Sequence, residues 1–174
     1  ETWVIYNSFG DQISGALPPA MPRQPSPNLI FNGKSTLILV NGTTRIDSFG
    51  QRGVNPPSGW EGGGINVTGE TLVRKPNVCF GRTQAEAPFD PSEEWIAIGH
   101  NNNSGLGEEV TNCGGGPVPG QEPVLNEFVI QRNGNRSNQY IEVFGQVGAN
   151  YSSYSIVVVS GDGPNPGLIE RVYP

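Results

Sequence analysis

The chain has 174 residues, 25 of them glycine and 16 proline, with 15% charged. That length suits one domain able to bury its own core, and the composition suits short strands joined by many turns rather than disorder, because apolar runs such as TLILV and IVVV remain. A net charge of −6 and a pI near 4.7 argue against a strong nonspecific hold on nucleic acid and leave only a local basic patch, for which Arg45, Arg52, Arg74, Lys75 and Arg82 are the densest candidates.

In chain order the pattern reads as all-β. The chain starts abruptly at ETWVIYN with no signal peptide ahead of it, as a mature or trimmed chain would. TWVIYNS (residues 2–8) is the first strand. LPPAMPRQPSP (17–27) carries five prolines and reads as an extended loop. STLILVN (35–41) and TTRIDSFG (43–50) read as strands joined through Asn41-Gly42, a strong hairpin signal. PPSGWEGGG surrounds Trp60 with glycine and predicts an exposed indole. TLVRK (71–75), PNVCF (76–80) and EEWIAIG (93–99) follow as shorter strands, and GGGPVPGQEP (114–123) is the one clear linker. VLNEFVIQ (124–131), QYIEVFG (139–145), SYSIVVVSG (153–161) and GLIERVY (167–173) complete the set. TLILV and SIVVVS are continuous rather than alternating, which predicts strands covered on both faces. No segment keeps a helical period, and there is no run of 18 apolar residues of the kind that spans a membrane.

Residues that could carry chemistry are few. Cys79 and Cys113 are the only cysteines, outside any CxxC spacing, and His100 is the only histidine, so a zinc site of the usual kind lacks ligands. A Cys79–Cys113 disulfide would close a loop of roughly 35 residues and contribute ~3–4 kcal/mol; the alternative is a reduced buried pair. Asn41, Asn66, Asn102, Asn135 and Asn150 satisfy the N-x-S/T pattern and are candidate glycosylation sites of an exported protein, although asparagine and threonine are also ordinary turn residues. Glu93, Glu94, Glu108, Glu109, Asp90, Asp47 and Asp162 could supply a glycosidase-type carboxylate pair, but spacing alone brings no two of them to one cleft. His100 stands in the turn-rich GHNNNSG with no G-x-S-x-G elbow anywhere, and reads as a solvated loop residue. Neither GGG run (62–64, 114–116) precedes a P-loop signature, so both read as turns. SGDGPNPG offers Asp162 and Asn165 as calcium ligands without the EF-hand pattern. Trp3, Trp60 and Trp95, with Tyr151 and Tyr154, could line a carbohydrate or partner surface or simply fill a core.

FNGKSTLILVNGTTRIDSFGQRG, TLVRKPNVCFGRT and FDPSEEWIAIGHNNNSGLGEEVTNC, in that order, resemble the later half of the lamin-tail domain of secreted bacterial proteins, often found beside extracellular nucleases; the likeness spans about residues 28–113. VLNEFVIQ, QYIEVFG and YSIVVVSGDG resemble the first half of the same family. The order of the halves is reversed. The resemblance implies an immunoglobulin-like β-sandwich with Trp95 in its framework core, and a chain that is either circularly permuted, completed by a neighbouring molecule, or one period of a longer repeat protein. Residues 1–113 would form the larger part of the sandwich, 114–123 a linker, and 124–174 the strands that complete a neighbour, through Val124, Phe128, Ile130, Ile141, Val143, Ile156 and Val158. On that reading the protein is no enzyme and needs no cofactor. It would be an extracellular, disulfide-bonded adhesive building block that assembles head to tail into a filament by strand exchange, with copies of itself and a surface glycan or protein as partners. The alternative is an accessory domain of a secreted nuclease or hydrolase that holds DNA or glycan.

Overall fold

The computed structural model describes residues 1–9, 13–108, 121–130 and 137–174. In chain order these form β1 (Thr2–Asn7), β2 (Arg23–Ser26), β3 (Thr36–Asn41), β4 (Thr44–Phe49), β5 (Glu61–Gly62), β6 (Ile65–Asn66), β7 (Glu70–Arg74), the helical turn α1 (Pro91–Glu94), β8 (Trp95–His100), β9 (Val124–Val129), β10 (Tyr140–Phe144), β11 (Tyr154–Val159) and β12 (Ile169–Tyr173). The larger sheet has the order β2-β1-β10-β9-β7-β8, the smaller β12-β11-β3-β4, and β5-β6 forms a separate hairpin turned by Gly63 and Gly64. Among the described residues every pairing is antiparallel except β1 with β2. The fold is an all-β sandwich, as composition and pattern predict.

Its core lies between the two sheets. Ile5, Leu37, Leu39, Phe49, Leu72, Trp95, Leu125, Phe128, Ile141, Ile156 and Val158 interdigitate there, with Phe49, Trp95 and Phe128 in edge-to-face contact. Two smaller apolar clusters lie on the outer faces. Val4, Tyr6, Val129 and Tyr140 of the larger sheet pack under Ile13, Leu17, Met21 and Leu106. Ile38 and Val159 of the smaller sheet pack under Ala85. This second covering is why TLILV and SIVVVS are apolar on both faces.

Residues 124–174 interleave with the rest of the same chain. β9 sits between β10 and β7, β10 between β9 and β1, and β11 between β12 and β3. Val124, Phe128, Ile130, Ile141, Val143, Ile156 and Val158 are all at most 6% exposed within this one chain. Two buried polar devices reinforce the join. Asp47 on β4 accepts from Leu125 N and from the Arg74 guanidinium of β7, whose Nε donates 2.6 Å to Leu125 O, so one residue of β9 is clamped on both its backbone groups. Arg74 also lies 4.7 Å from the Trp95 ring centroid and within 3.5 Å of Glu94. At the far end, the Tyr173 hydroxyl donates 2.6 Å to Asn28 O and accepts from Ile30 N. Gly145 N donates 2.9 Å to Glu1 O, extending the β1–β10 ladder.

Several expectations need correcting. PNVCF is a turn rather than a strand: Pro76 has no N–H for a ladder, Val78 N bonds Lys75 O at 3.0 Å, and Phe80 is 76% exposed. The proline-rich 17–27 segment is not loop throughout, since Arg23–Ser26 pairs with β1; an edge strand needs hydrogen bonds on one side only, which accommodates Pro25. EEWIAIG enters its strand only at Trp95, because Asp90 caps a helical turn through Ser92 N at 2.8 Å. Trp60 is 5% exposed, not exposed: its Nε1 donates 3.0 Å to Ser35 O and its ring meets Phe89 edge-on. Gly50 makes that possible, since a Cβ there would sit 2.8 Å from the indole nitrogen, and its φ of 88° suits glycine. At the β3–β4 hairpin Gly42 supplies the positive φ at the first turn position, with Asn41 opposite Thr44.

Candidate functional site

One end of the sandwich opens as a groove of ≈ 350 Å³ between β1 and β10 of the larger sheet and β3 and β11 of the smaller, with Trp3, Gln24, Leu39, Tyr151, Ser152 and Tyr154 among its walls. Trp3 reaches it from β1, opposite Val143. Tyr151 and Tyr154 stand on the turn that enters β11, where Tyr154 N bonds Tyr151 O at 2.9 Å and the rings meet edge to face at 5.3 Å. The Tyr151 hydroxyl donates to Gln146 O at 3.1 Å, and that of Tyr154 donates to the Glu122 carboxylate. Burial, and then the Glu122 carboxylate, push the Tyr154 hydroxyl up to about 12, so both phenols stay neutral donors at physiological pH. The walls are therefore aromatic with polar tips, the composition of small-ligand sites.

A second constellation lies on the outer face of the larger sheet. β9 and β10 set Glu127 opposite Glu142, and the register shift at Glu142/Val143 leaves Asn126 as the extra residue of β9. Asn126, Glu127 and Glu142 are each 0% exposed. Asn126 Nδ2 donates 2.6 Å to Glu142 Oε1, Gly107 N donates 2.6 Å to Glu142 Oε2, and the Tyr140 hydroxyl donates to Glu127 Oε1. Glu127 Oε2 and Asn126 Oδ1 are buried with no hydrogen-bond partner among the described residues. Burial pushes both carboxyls up to about 7, with their mutual repulsion adding to the rise at Glu142 and Glu108 adding to it at Glu127. Sequence reasoning passed over this pair, because NEF and YIEVF look like strands whose polar residues face water.

The acidic residues singled out from sequence are spread over the molecule. Asp90 caps α1, and Asp162 pairs with Asn32 and Lys34 beside the SGDGPNPG turn. Asp47 and Glu94 both meet Arg74, which separates them as a buried clamp. Glu108 is exposed near Glu127, and Glu109 lies outside the described residues. His100 ends β8 half exposed, its Nδ1 2.8 Å from Gly69 O and 3.1 Å from Glu70. The basic candidates are occupied: Arg74 by Asp47, Arg45 and Arg52 by Glu86, Lys75 by Ser92 O, and Arg82 by carbonyls of Gly50, Ala87 and Pro88. Trp60 and Trp95 belong to the core, whereas Trp3, Tyr151 and Tyr154 meet in the groove.

Asn66, Asn102 and Asn150 each accept from the backbone N–H of the Ser or Thr two residues on, closing Asx turns. Asn66 and Asn150 are exposed, Asn41 and Asn102 partly so. Asn135 and Cys113 fall outside the described residues, and with Cys113 the Cys79–Cys113 pairing; so does the second GGG run. Among the described residues no three His, Cys, Asp or Glu side chains gather into a metal cage, and no helix is long and apolar enough to cross a membrane. No family model, curated protein or solved structure matches this chain.

Proposed function

We propose that this chain is a non-catalytic extracellular module of lamin-tail type that holds a carbohydrate in the groove formed by Trp3, Tyr151 and Tyr154. The groove carries the reading. A pyranose ring has an apolar C–H face that lies flat on an aromatic side chain and hydroxyls at its rim that pair with amides, carboxylates and phenols. Trp3, Tyr151 and Tyr154 offer the first, and Gln24, Ser152 and the tyrosine hydroxyls the second. A volume of ≈ 350 Å³ fits one or two sugar rings. The DNA version of the same reading loses support from the pairing of Arg45, Arg52, Arg74, Lys75 and Arg82 with protein groups. The test is calorimetric titration of the full chain with a panel of soluble oligosaccharides, with Tyr154→Ala as the site variant. Binding that weakens tenfold or more in the variant, with an unchanged far-UV spectrum, supports the reading; no binding by any sugar at millimolar concentration rejects it.

A second reading, head-to-tail assembly by strand exchange, rests on residues 124–174 supplying interior strands to both sheets from beyond residues 109–120. Two chains that exchanged this segment would keep every pairing of the single chain. The β12 edge, with Ile169 61% and Val172 55% exposed, gives such particles a surface on which to stack. Light scattering on the native protein separates the cases: 18.6 kDa is the closed single chain, and larger particles that dissociate to 18.6 kDa only in denaturant are exchanged ones. An exported protein would carry the Cys79–Cys113 disulfide, and intact mass with and without reduction and alkylation reads it directly.

A further inference from the structure

The Glu127–Glu142 pair poses a charge problem that no ion pair among the described residues solves. Two carboxylates stand opposite each other on neighbouring strands at 0% exposure, and among the described residues no lysine or arginine forms an ion pair with either. Buried charges are ordinarily paired with an opposite charge or bound to a metal. The groups that hydrogen-bond them are three neutral donors, the Asn126 amide, Gly107 N–H and the Tyr140 hydroxyl, while the Glu1 ammonium attracts Glu142 only through space and less than burial opposes its charge. These orient the carboxylates without neutralising them.

What remains unfilled is of one chemical kind. Glu127 Oε2 and Asn126 Oδ1 are both acceptor oxygens, buried and without a partner among the described residues. The 102–108 loop arches over them, with Gly107 N and Glu108 O each tied to the pair and its bulge residue. At the point where this loop passes Glu127 Oε2 stands Gly105, whose missing Cβ would lie 2.9 Å from that oxygen. Any side chain there would fill the space next to the orphan oxygen. Glu108, exposed on the same loop, supplies further negative charge at the rim.

We propose that Glu127, Glu142 and Asn126 form a calcium site beneath the 102–108 loop, with Gly105 leaving the space that the ion's coordination shell takes up. The ligand set is oxygen only, which disfavours zinc and copper, and an irregular set of protein oxygens in a buried position suits calcium better than magnesium, which demands octahedral geometry and keeps its waters. The proposal does not depend on the carbohydrate reading: the two sites lie in different parts of the sandwich, the groove at its open end and the carboxylates on the outer face of the larger sheet.

The experiment uses the full chain, stripped with EDTA and dialysed, and follows thermal unfolding against added CaCl₂, with MgCl₂ as comparison. Calcium is expected to raise Tm saturably, by ~5–10 °C at a hundredfold excess over Kd, and terbium to show luminescence sensitised through Tyr140. Glu127→Gln and Glu142→Gln should lose the calcium shift. The metal-free Tm of Glu127→Gln stays level or rises, because it removes a buried charge and its NH₂ can take the place of the unpartnered Oε2. Glu142→Gln instead sets an NH₂ against a donor, Asn126 Nδ2 or Gly107 N, and is expected to lose some stability. Glu170→Gln, on the exposed β12 edge, should keep the shift. Should a glutamine variant fail to fold, Gly105→Ala decides, since its Cβ occupies the space beside Glu127 and is expected to remove the shift. A Tm indifferent to calcium, a shift that survives these substitutions, or an equal shift with magnesium overturns the assignment; stability that follows pH but not calcium means protons neutralise the pair, and overturns it too.

Discussion

Substituting Asp47 by asparagine changes one oxygen to an NH₂ group and tests the clamp that ties the two sheets together. Asp47 is 0% exposed and accepts from four groups: Oδ2 from the Arg74 guanidinium and Leu125 N, Oδ1 from Ser48 N and Arg82 N at 2.8 Å each. With Nδ2 in place of Oδ2, a donor faces two donors and the buried Arg74 charge keeps only Glu94, 3.5 Å away, as its counter-charge. Breaking one side of a buried ion pair costs ~3–5 kcal/mol, a large part of the ~5–15 kcal/mol that holds a domain together. Arg74→Met should cost ~3 kcal/mol, at the lower end, because the stranded carboxylate keeps its three backbone donors. The double variant leaves neither charge alone, so its loss should fall short of the sum by at least ~2 kcal/mol. Urea unfolding at pH 7, with the slope checked for constancy across the four proteins, measures all three losses. If Asp47→Asn stays within ~1 kcal/mol of the parent, or the double variant is additive, the account of the clamp is wrong.

Metal-free protein should lose stability as pH rises from 5 to 8. The folded pKa values of Glu127 and Glu142 lie at about 7 against an ordinary 4.5, so the folded chain holds protons that the unfolded chain releases. Their contribution is complete below the unfolded value and lost as pH passes through about 7, at most ~3 kcal/mol for each carboxyl; Glu94, raised by its burial, acts with the same sign. A urea midpoint that is flat or rising over that range, in EDTA, contradicts this. A fragment ending at residue 123 should be unfolded and aggregation-prone, because β1, β3 and β7 each lose a neighbouring strand, and adding a peptide of residues 124–174 should restore the native far-UV spectrum. A soluble, folded 1–123 monomer would refute that reasoning.

Strands were legible wherever apolar β-formers ran between turn residues: β1, β3, β4 and β7 through β12 stand close to where the pattern put them. Misreadings share a physical cause, in that each residue's environment is made by segments far away in sequence. Trp60 looks exposed beside its glycines, yet Ser35, Gly50 and Phe89 build its pocket. Arg23–Ser26 becomes a strand only because β1 offers it an edge. Glu127 and Glu142 occupy the positions where an alternating strand meets water, and become buried only because residues 13–21 and 102–108 fold over them. Tyr151 and Tyr154 could be named as surface candidates from sequence, but their meeting with Trp3 depends on how the two sheets stack, which no local pattern encodes.

The interleaving of the last fifty residues with the rest also sets the order in which the molecule can come into being. A ribosome delivers β1 well before β10, its ladder partner, and Asn28 long before Tyr173, 145 positions later. Until the final strands emerge, β1, β3 and β7 have no interior neighbours to close on, and the Arg74–Asp47 pair has no Leu125 to grip. Such long-range closure makes folding slow and delays it until residues 124–174 are available. Local hairpins such as β3–β4 can pair early, but for as long as residues 124–174 are missing the sandwich stays open along β1, β3 and β7, and those edges have to be kept from pairing with other chains.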